Sequence, residues 1–260
     1  MEFKFYKYQG TGNDFVMIDN RDLFFPKDNV VLINTICDRK FGVGADGLIL
    51  LENDDLTDFR MVYYNADGNE STMCGNGGRC IVQFAYDLQL ISKETTFIAV
   101  DGLHEAEVNE ATISLQMINV DSITAHEDGS VFMNTGSPHH VAFVENIDAF
   151  PIFDFGKNIR YSAQYAPGGT NVNVVQPISE TSYKVRTYER GVEDETLSCG
   201  TGATAVALAM HYLGKVSSTD LDIHVPGGQL KVSFKPTSGG YENVFLIGPA
   251  QFVFEGVWKI

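Results

Sequence analysis

The chain has 260 residues and a formal net charge of −16 at pH 7, with 44% hydrophobic and 20% charged residues. This composition is typical of a folded globular protein, and the length suits two domains of ordinary size. The acidic balance argues against nucleic acid as a partner, because phosphate groups are bound by basic surfaces.

Neither a membrane span nor a disulfide framework is expected. No apolar stretch approaches the roughly 18 residues that cross a bilayer. Residues 1–6 alternate like a strand and do not resemble a secretory signal. The four cysteines are too few for a disulfide scaffold. We therefore expect a cytoplasmic protein with reduced thiols.

The first half of the chain is predicted to form short strands around one long helix. Turn residues, such as those of residues 10–14 and 65–69, separate the apolar runs. Helices are predicted over Val30–Arg39 and from Cys74 to about Leu88. The predicted strands are Phe3–Tyr8, Phe15–Asp19, Leu48–Leu51, Phe59–Tyr64, Thr95–Val100, Leu103–Val108 and Thr112–Ile118.

The second half is predicted to repeat this order, with a helix from Cys199 to about Leu213. The final segment, Gln251–Ile260, is expected to return to the first domain as a strand. The predicted strands of the second half are Val131–Met133, Val141–Val144, Asn171–Val175, Tyr183–Tyr188, Leu221–Val225, Gln229–Phe234 and Val244–Ile247.

These elements predict the α+β class, with two pseudo-symmetric domains that each wrap a curved, mostly antiparallel sheet or barrel around a central helix. The predicted N-terminal domain comprises residues 1–120, with a returning strand at 250–260. The predicted C-terminal domain comprises residues 121–249. We expect the active site in the cleft between them.

An internal repeat supports the two-domain prediction. Met73–Gly78 contains Cys-Gly-x-Gly, and so does Ser198–Ala203, 125 residues later. Each copy runs into an apolar segment rich in small residues. Applied along the whole chain, the same offset pairs Asn65 with Arg190. The repeat predicts two copies of one domain with a cysteine at the same position in each.

Cys-Gly-x-Gly at a helix start favours anion binding beside a reactive sulfur. The first turn of a helix offers backbone N–H groups and the positive end of the helix dipole. Glycines let a carboxylate approach those groups closely. The same field favours the thiolate form of a cysteine. Each motif could therefore hold a carboxylate next to a nucleophilic or basic sulfur.

Two such motifs facing each other across a cleft would suit inversion at an α-carbon. A thiolate on one side removes the α-proton, and a thiol on the other side returns a proton to the opposite face. Charge that develops on the carboxylate would be stabilised by the two helix N-termini. The sequence thus predicts Cys74 and Cys199 as an opposed base and acid.

Other interpretations of the cysteines remain open at this point. A single Cys-Gly-x-Gly is a weak signal, since most cysteines outside disulfides are buried core residues. A zinc site is not expected, because the spacing from Cys74 to Cys80 is unusual for metal ligands and no histidine pair follows. A thiol redox protein is a further alternative, although the chain has no Cys-x-x-Cys motif.

Seven blocks spread over nearly the whole chain carry a resemblance to a known family. These blocks, in the family's order, are Gly10–Phe15, Arg39–Gly47, Tyr64–Gly68, Met73–Cys80, Gly169–Asn173, Tyr188–Gly191 and Ser198–Ala203. At these residues the sequence resembles diaminopimelate epimerase. The resemblance implies an isomerase that interconverts LL- and meso-2,6-diaminopimelate without pyridoxal phosphate or any other cofactor. It also implies a role in lysine and peptidoglycan synthesis, and a homodimer.

The resemblance also assigns roles to individual residues. Cys74 and Cys199 match the two catalytic positions. His139 and Ser137 match positions close to the site. The residues that match substrate-binding positions are Asn13, Asn65, Gly75, Asn76, Asn171, Glu189, Arg190, Gly200 and Thr201.

The substrate contacts make chemical sense for diaminopimelate, which has a second amino acid centre. Its distal carboxylate suits the guanidinium of Arg190, and its distal ammonium suits Glu189 and amide oxygens. Two positions depart from the family: Ser137 stands where many members have asparagine, and Gly47 where some have glutamine. These departures concern the distal contacts rather than the reaction.

The nearest alternative function is that of a two-thiol racemase for proline or hydroxyproline. Arg190 and Glu189 argue against it, because an imino acid with one centre has no distal carboxylate to bind. A binding protein on the same fold that has lost its cysteines is a third class, and the presence of Cys74 and Cys199 argues against that one.

Overall fold

The computed structural model describes residues 2–71 and 73–259. Met1 and Ile260, which the predicted domain and final strand include, lie outside the described residues. The chain divides into two compact units: Met1–Leu115 with Gly248–Ile260, and Gln116–Ile247. Within the described residues, no helix has both the length and the hydropathy needed to cross a membrane.

The first unit is built from strands and two helices, with the C-terminal strand added to the N-terminal part of the chain. Its elements are β1 (Glu2–Gly10), β2 (Asn13–Asp19), α1 (Val30–Cys37), β3 (Gly47–Glu52), β4 (Phe59–Asn65), α2 (Gly75–Asp87), β5 (Glu94–Ala99), β6 (Gly102–Val108), β7 (Ile113–Gln116) and β17 (Gln251–Lys259).

The strands of the first unit pair in the order β17, β1, β2, β3, β4, β5, β6, β7. The β2–β3 and β4–β5 pairs are parallel, and the others are antiparallel. Helix α2 contacts β17 at one end of this series and β6, the last strand but one, near the other, so the sheet wraps around it. All of β3 is buried, which fits a strand covered on both faces by α1 and α2.

The second unit contains a matching set of elements. These are β8 (Ile123–Ala125), β9 (Val131–Asn134), β10 (Pro138–Phe143), α3 (Ile152–Arg160), β11 (Asn171–Pro177), β12 (Ser182–Glu189), β13 (Asp194–Thr196), α4 (Gly200–Tyr212), β14 (Asp220–Val225), β15 (Gly228–Pro236) and β16 (Tyr241–Gly248).

The pairing pattern of the second unit repeats that of the first. Its strands run in the order β8, β9, β10, β11, β12, β14, β15, β16, and the parallel pairs are β10–β11 and β12–β14. Helix α4 contacts six of these strands, and Ala203 through Met210 have no exposed side-chain surface. The chain-terminal strand β17 occupies in the first unit the place that β8 has in the second. The predicted α+β class, with two pseudo-symmetric halves, is confirmed.

Helix α3 is an element that the sequence interpretation missed. Its Ile152, Phe155 and Ile159 pack on a core cluster with Val172 and Tyr188. Gly156 makes this close packing possible, because a Cβ there would lie 2.3 Å from the Cβ of Tyr188. A glycine in mid-helix weakens a helical pattern in the sequence, yet here it lets the helix approach β12.

The strand registers correct one correspondence within the repeat. Leu48 pairs with Tyr64 in the first unit, and Val172 pairs with Tyr188 in the second, an offset of 124 residues. The helices α2 and α4 begin 125 residues apart. The connection that holds β13 is therefore one residue longer than its counterpart. Asn65 therefore has the position in the first unit that Glu189 has in the second. The match of Asn65 with Arg190, which the constant offset of the repeat predicted, is wrong by one residue.

Candidate active site

Cys74 lies at the beginning of the core helix of the first unit. It is the N-cap residue of α2, with an extended backbone (φ −99°, ψ 128°), and is partly exposed. Gly75 and Asn76 form the first turn and are buried. The backbone N–H groups of such a turn lack intrahelical acceptors and carry the positive end of the helix dipole. This geometry suits a carboxylate held next to the Cys74 sulfur.

Cys199 has the equivalent position in the second unit. It is the N-cap residue of α4, with φ −119° and ψ 108°, and only 7% of its surface is exposed. Gly200 is buried in the first turn, and Thr201 is partly buried. A Cβ on Gly202 would lie 2.4 Å from Asn173 Oδ1 and 3.3 Å from Cys199 Sγ. The second glycine of this motif is therefore required by the packing of the helix start.

Asn13 joins the residues around Cys74. Its Oδ1 accepts a hydrogen bond from Asn76 Nδ2 at 3.1 Å and lies 3.6 Å from Cys74 Sγ. Its Nδ2 donates to Asp46 Oδ2 at 2.5 Å. The first unit thus brings three of the predicted site residues together, and Asp46 holds the amide of Asn13 in one orientation.

Asp46 belongs to a charged network behind Asn13. Arg39 Nη2 lies 2.6 Å from both Asp46 Oδ1 and Asp14 Oδ1, and Lys7 Nζ lies 2.7 Å from Asp14 Oδ2. Burial acts to raise the pKa of Asp14, but the hydrogen bonds from Arg39 and Lys7 outweigh it and lower the pKa to about 2. Both carboxylates are therefore tied to cations, which fixes the position of Asp46.

Arg79 is fully buried in α2, one turn beyond Cys74. Its Nη2 donates to Asn76 Oδ1 at 2.9 Å and to Thr11 Oγ1 at 3.3 Å, and its Nη1 donates to Gly75 O at 3.4 Å. The guanidinium therefore folds back along the first helical turn. Burial lowers its pKa to about 10, so the group carries its charge at neutral pH. It adds positive charge to the end of the helix where an anion would bind.

His139 links Thr201 to the core of the second unit. Its ring is fully buried, with Nε2 2.8 Å from Thr201 Oγ1 and Nδ1 3.0 Å from Asn173 Nδ2. Thr201 Oγ1 lies 3.5 Å from Cys199 Sγ. Burial, together with the charge of Arg190, lowers the pKa of His139 to about 3. The histidine is therefore neutral at physiological pH.

Three of the residues predicted to hold the distal end of the substrate, Asn171, Glu189 and Arg190, belong to the second unit. Arg190 N–H donates to Asn171 Oδ1 at 2.8 Å, and Arg190 Nη1 donates to Gly168 O at 3.3 Å. Glu189 Oε2 accepts from Thr196 Oγ1 at 3.0 Å. Asn171 fixes the backbone at Arg190, while a threonine on the neighbouring strand holds the Glu189 carboxylate.

Asn65 and Ser137 lie outside these networks. Asn65 is exposed at the end of β4, and it pairs with the buried Gly47. The backbone carbonyl of Ser137 accepts from Thr135 N–H at 3.1 Å. Within the described part of the chain, neither side chain takes part in the hydrogen bonds around Cys74 or Cys199.

Sequence reasoning missed Asp46, Arg79 and Asn173. Each carried a signal: Asp46 closes a glycine loop before a strand, and Arg79 is a cation in an otherwise uncharged helix start. Asn173 lies two residues from Asn171 in an apolar strand, so both side chains point to the same face. Among the described residues, no group of three or more His, Cys, Asp or Glu side chains could hold a metal ion.

Comparison with known proteins agrees with the resemblance to diaminopimelate epimerase that the sequence motifs carry. The family model described as Diaminopimelate epimerase matches residues 5–122 and 131–253. The chain is 61% identical over 253 residues to the Diaminopimelate epimerase of Flavobacterium psychrophilum, a match that covers 97% of this chain and 98% of that protein. It is 43% identical over 255 residues to that of Chlorobaculum tepidum, with 95% and 98% covered.

The fold is shared with solved structures of low sequence identity. A phenazine biosynthesis protein of the PhzF family from Bacillus anthracis superposes with a TM-score of 0.82 at 14% identity, covering all of both chains. A hydroxyproline epimerase from Agrobacterium vitis gives 0.71 at 14% identity and covers 98% of this chain and 92% of that one. The family model and the near relatives are far more specific than these likenesses of fold. The chain belongs to the diaminopimelate epimerase family, whose members are isomerases.

Proposed function

We propose that this protein interconverts LL- and meso-2,6-diaminopimelate by proton transfer between two cysteines, Cys74 and Cys199. One observation carries the proposal: each cysteine is the N-cap residue of the core helix in one of two units with the same topology. Membership of the diaminopimelate epimerase family supports the substrate. No cofactor is needed in this proposal, because the two sulfurs perform both proton transfers.

In the proposed reaction the substrate lies in a cleft between the two domains, with a sulfur on each side of its α-carbon. The thiolate takes the α-proton while the opposite thiol gives its proton to the other face, which inverts the centre. The α-proton is a weak acid, so charge must be stabilised on the adjacent carboxylate. Backbone N–H groups of Gly75, Asn76, Gly200 and Thr201 are proposed to bind it.

The second amino acid centre is proposed to set specificity. Arg190 would bind the distal carboxylate, and Glu189 with Asn65 and Asn171 would bind the distal ammonium group. The hydrogen bonds of the Arg190 guanidinium to Gly168 O and of the Glu189 carboxylate to Thr196 support this assignment, because charges that are already held in place bind with less loss of conformational freedom. His139 and Ser137 are proposed to act behind the residues that touch substrate.

A homodimer in the cytoplasm is proposed as the working form. Strand β17 supports the dimer, because Phe252, Val253, Phe254 and Val257 are each about half exposed. We propose that a second copy of this chain covers β17. Light scattering should then show a dimer for wild type and a monomer for Val257→Lys. Leu56→Lys is the control, since Leu56 is also exposed but distant in sequence from β17. An unchanged mass for Val257→Lys would overturn this surface.

Alanine substitution of each cysteine tests the reaction. The enzyme should convert LL- to meso-diaminopimelate, and Cys74→Ala and Cys199→Ala should each reduce kcat at least about a thousandfold, because each removes one of the two proton-transfer groups. Cys37→Ala and Cys80→Ala are matched controls, since both thiols are buried and neither residue is the N-cap of its helix. Full activity in either variant of Cys74 or Cys199 would overturn the two-thiol mechanism.

A further inference from the structure

The direction of the hydrogen bonds behind Cys199 can be assigned atom by atom. Asn173 Nδ2 lies 3.0 Å from the carbonyl oxygen of His140, which can only accept. The nitrogen of this amide is thereby fixed. Its Oδ1 in turn accepts from Thr187 Oγ1 at 2.9 Å. Asn173 therefore presents a donor to its neighbour His139.

The tautomer of His139 follows from that donor. Asn173 Nδ2 lies 3.0 Å from His139 Nδ1, so Nδ1 accepts and carries no proton. Because the ring is neutral, its one proton is on Nε2, and it points to Thr201 Oγ1 at 2.8 Å. Asn171 Nδ2 lies 3.5 Å from the same Nε2, a much longer contact than the 2.8 Å to Thr201 Oγ1, and it donates at 3.2 Å to Pro138 O.

This series of hydrogen bonds ends with a donor to the sulfur of Cys199. Since Thr201 Oγ1 accepts from His139, its own proton is available to Cys199 Sγ at 3.5 Å. A hydrogen bond donated to sulfur stabilises the thiolate relative to the thiol.

The hydrogen bonds behind Cys74 have the opposite direction. Asp46 is an ion-paired carboxylate, so Asn13 must present Nδ2 to it and Oδ1 to Cys74. Arg79 donates to Asn76 Oδ1, which turns Asn76 Nδ2 towards the same Asn13 Oδ1. A carbonyl oxygen can only accept, so its contact with Cys74 Sγ at 3.6 Å takes up an S–H proton. This arrangement stabilises the thiol.

We infer that the resting enzyme holds Cys199 as the thiolate and Cys74 as the thiol. The hydrogen bonds behind Cys199 present a donor to its sulfur, whereas those behind Cys74 present an acceptor. The inference rests on the proposed two-cysteine reaction. It makes Cys199 the first base and Cys74 the first acid. In one turnover the α-proton moves to Cys199 Sγ, and the proton of Cys74 Sγ moves to the opposite face of the carbon. His139 and Thr201 act as positioning residues for Cys199.

The charge of Arg79 acts in the other direction. A buried guanidinium beside the first turn of α2 stabilises a Cys74 thiolate, which is the form left after Cys74 has donated its proton. Arg79 therefore narrows the difference in proton affinity between the two sulfurs without reversing it. An epimerase with substrate and product of similar stability needs such a balance, so that both enzyme forms remain accessible.

The test measures the pH dependence of thiol alkylation by iodoacetamide, followed separately at each cysteine by peptide mass spectrometry. Only thiolates react at an appreciable rate. Cys37 and Cys80 do not interfere, because burial raises the pKa of each thiol to about 12. In wild type, Cys199 should reach half its maximal rate at a lower pH than Cys74. The reverse order would overturn the inference.

Variants of Thr201 give a second readout that does not depend on catalysis. Thr201→Val should slow alkylation of Cys199 at neutral pH by roughly tenfold, with no change at Cys74, whereas Thr201→Ser should retain most of the wild-type rate because it keeps the hydroxyl. Equal rates in Thr201→Val and Thr201→Ser would overturn the inference. Neither result bears on whether the cysteines catalyse epimerisation, which the alanine variants decide separately.

Discussion

His139 Nε2 lies 2.8 Å from Thr201 Oγ1, so a fully buried imidazole is bonded directly to the first turn of α4. The turn that carries this threonine follows Cys199, and the imidazole is held in turn by Asn173. The start of α4 is therefore supported by a polar network rather than by apolar packing alone. Such networks restrict side chains to one arrangement when every member is hydrogen-bonded.

The buried histidines predict how stability depends on pH. Burial lowers the folded-state pKa of His139 to about 3 and that of His140 to about 4, whereas an unfolded histidine titrates near pH 6.5. Between these values the unfolded chain binds more protons than the folded one. The free energy of unfolding should therefore be fully retained above about pH 6.5 and should decrease as the pH falls towards about 3.

Urea unfolding at a series of pH values measures this effect. His139→Asn should show a shallower decrease than wild type between about pH 6.5 and pH 4, because one of the two buried imidazoles is gone. Equal slopes for the variant and the wild type would contradict the account of His139 as a buried neutral ring.

Alanine at Gly202 is expected to damage the active site more than alanine at Gly77. A Cβ at Gly202 would lie 2.4 Å from Asn173 Oδ1, within a fixed polar network, whereas a Cβ at Gly77 would meet Ile49 Cδ1 at 3.0 Å. The end of an isoleucine side chain can move, but Asn173 cannot move without breaking its bonds to His139. Gly202→Ala should cost about 1–3 kcal/mol of stability and most of the activity.

Gly77 is the matched control, since it holds the equivalent position in α2. Denaturation and kcat measurements on both variants decide the point, and a larger loss in Gly77→Ala would refute it.

Arg79→Met is expected to lower activity strongly while changing stability little. The guanidinium is buried against neutral oxygen atoms, so its removal relieves a desolvation cost while leaving an apolar chain of similar length. This gain offsets most of the cost of the oxygen atoms that lose their donor, so the free energy of unfolding should fall by no more than about 1 kcal/mol. The value of kcat/KM should fall at least about tenfold, because Asn76 loses its donor and the end of α2 loses a positive charge.

Arg79→Lys is the control for this prediction. A lysine keeps the charge but not the forked geometry, so its activity should lie between that of wild type and that of Arg79→Met. An Arg79→Met enzyme with wild-type kcat/KM would show that the buried cation has no part in the reaction.

Gly156→Ala tests the packing of α3. A Cβ at this position would lie 2.3 Å from Tyr188 Cβ, which belongs to the backbone-proximal part of a buried strand residue. The helix would have to shift away from β12, so Tm should fall by several degrees, in line with a loss of about 1–3 kcal/mol. Gly239→Ala is the control, because no atom lies within 4 Å of a Cβ there. Similar Tm values for the two variants would contradict the packing described for α3.

The sequence predicted the features that follow from local pattern. The helix starts at Cys74 and Cys199 are marked by glycines before an apolar run, and the structure begins α2 and α4 one residue later. The alternating and fully apolar runs correspond to strands, and the pairing order follows the repeat. Helix α3 was missed because Gly156 interrupts the helical pattern, and its place depends on contact with Tyr188.

The hydrogen-bond partners of the site could not be derived from the sequence. Asn13 and Cys74 are 61 residues apart in the chain and meet only because β2 packs against α2. The direction of each hydrogen bond depends on a partner still further away, as when Asp46 orients Asn13 or His140 O orients Asn173. The constant offset of the repeat also gave the wrong partner for Asn65. The connection that holds β13 has one more residue than its counterpart, and this shifts the numbering of the strands against that of the Cys-Gly-x-Gly motifs.

Solvent deuterium exchange tests the central claim most directly. LL-diaminopimelate is incubated with the enzyme in D2O, and deuterium at the two α-carbons is followed by NMR as the meso isomer forms. Because the acid that protonates the inverted face is a thiol in exchange with solvent, every meso molecule formed should carry deuterium at the inverted centre and hydrogen at the other. Formation of meso product that retains hydrogen at the inverted centre from the first turnover would contradict a two-thiol mechanism.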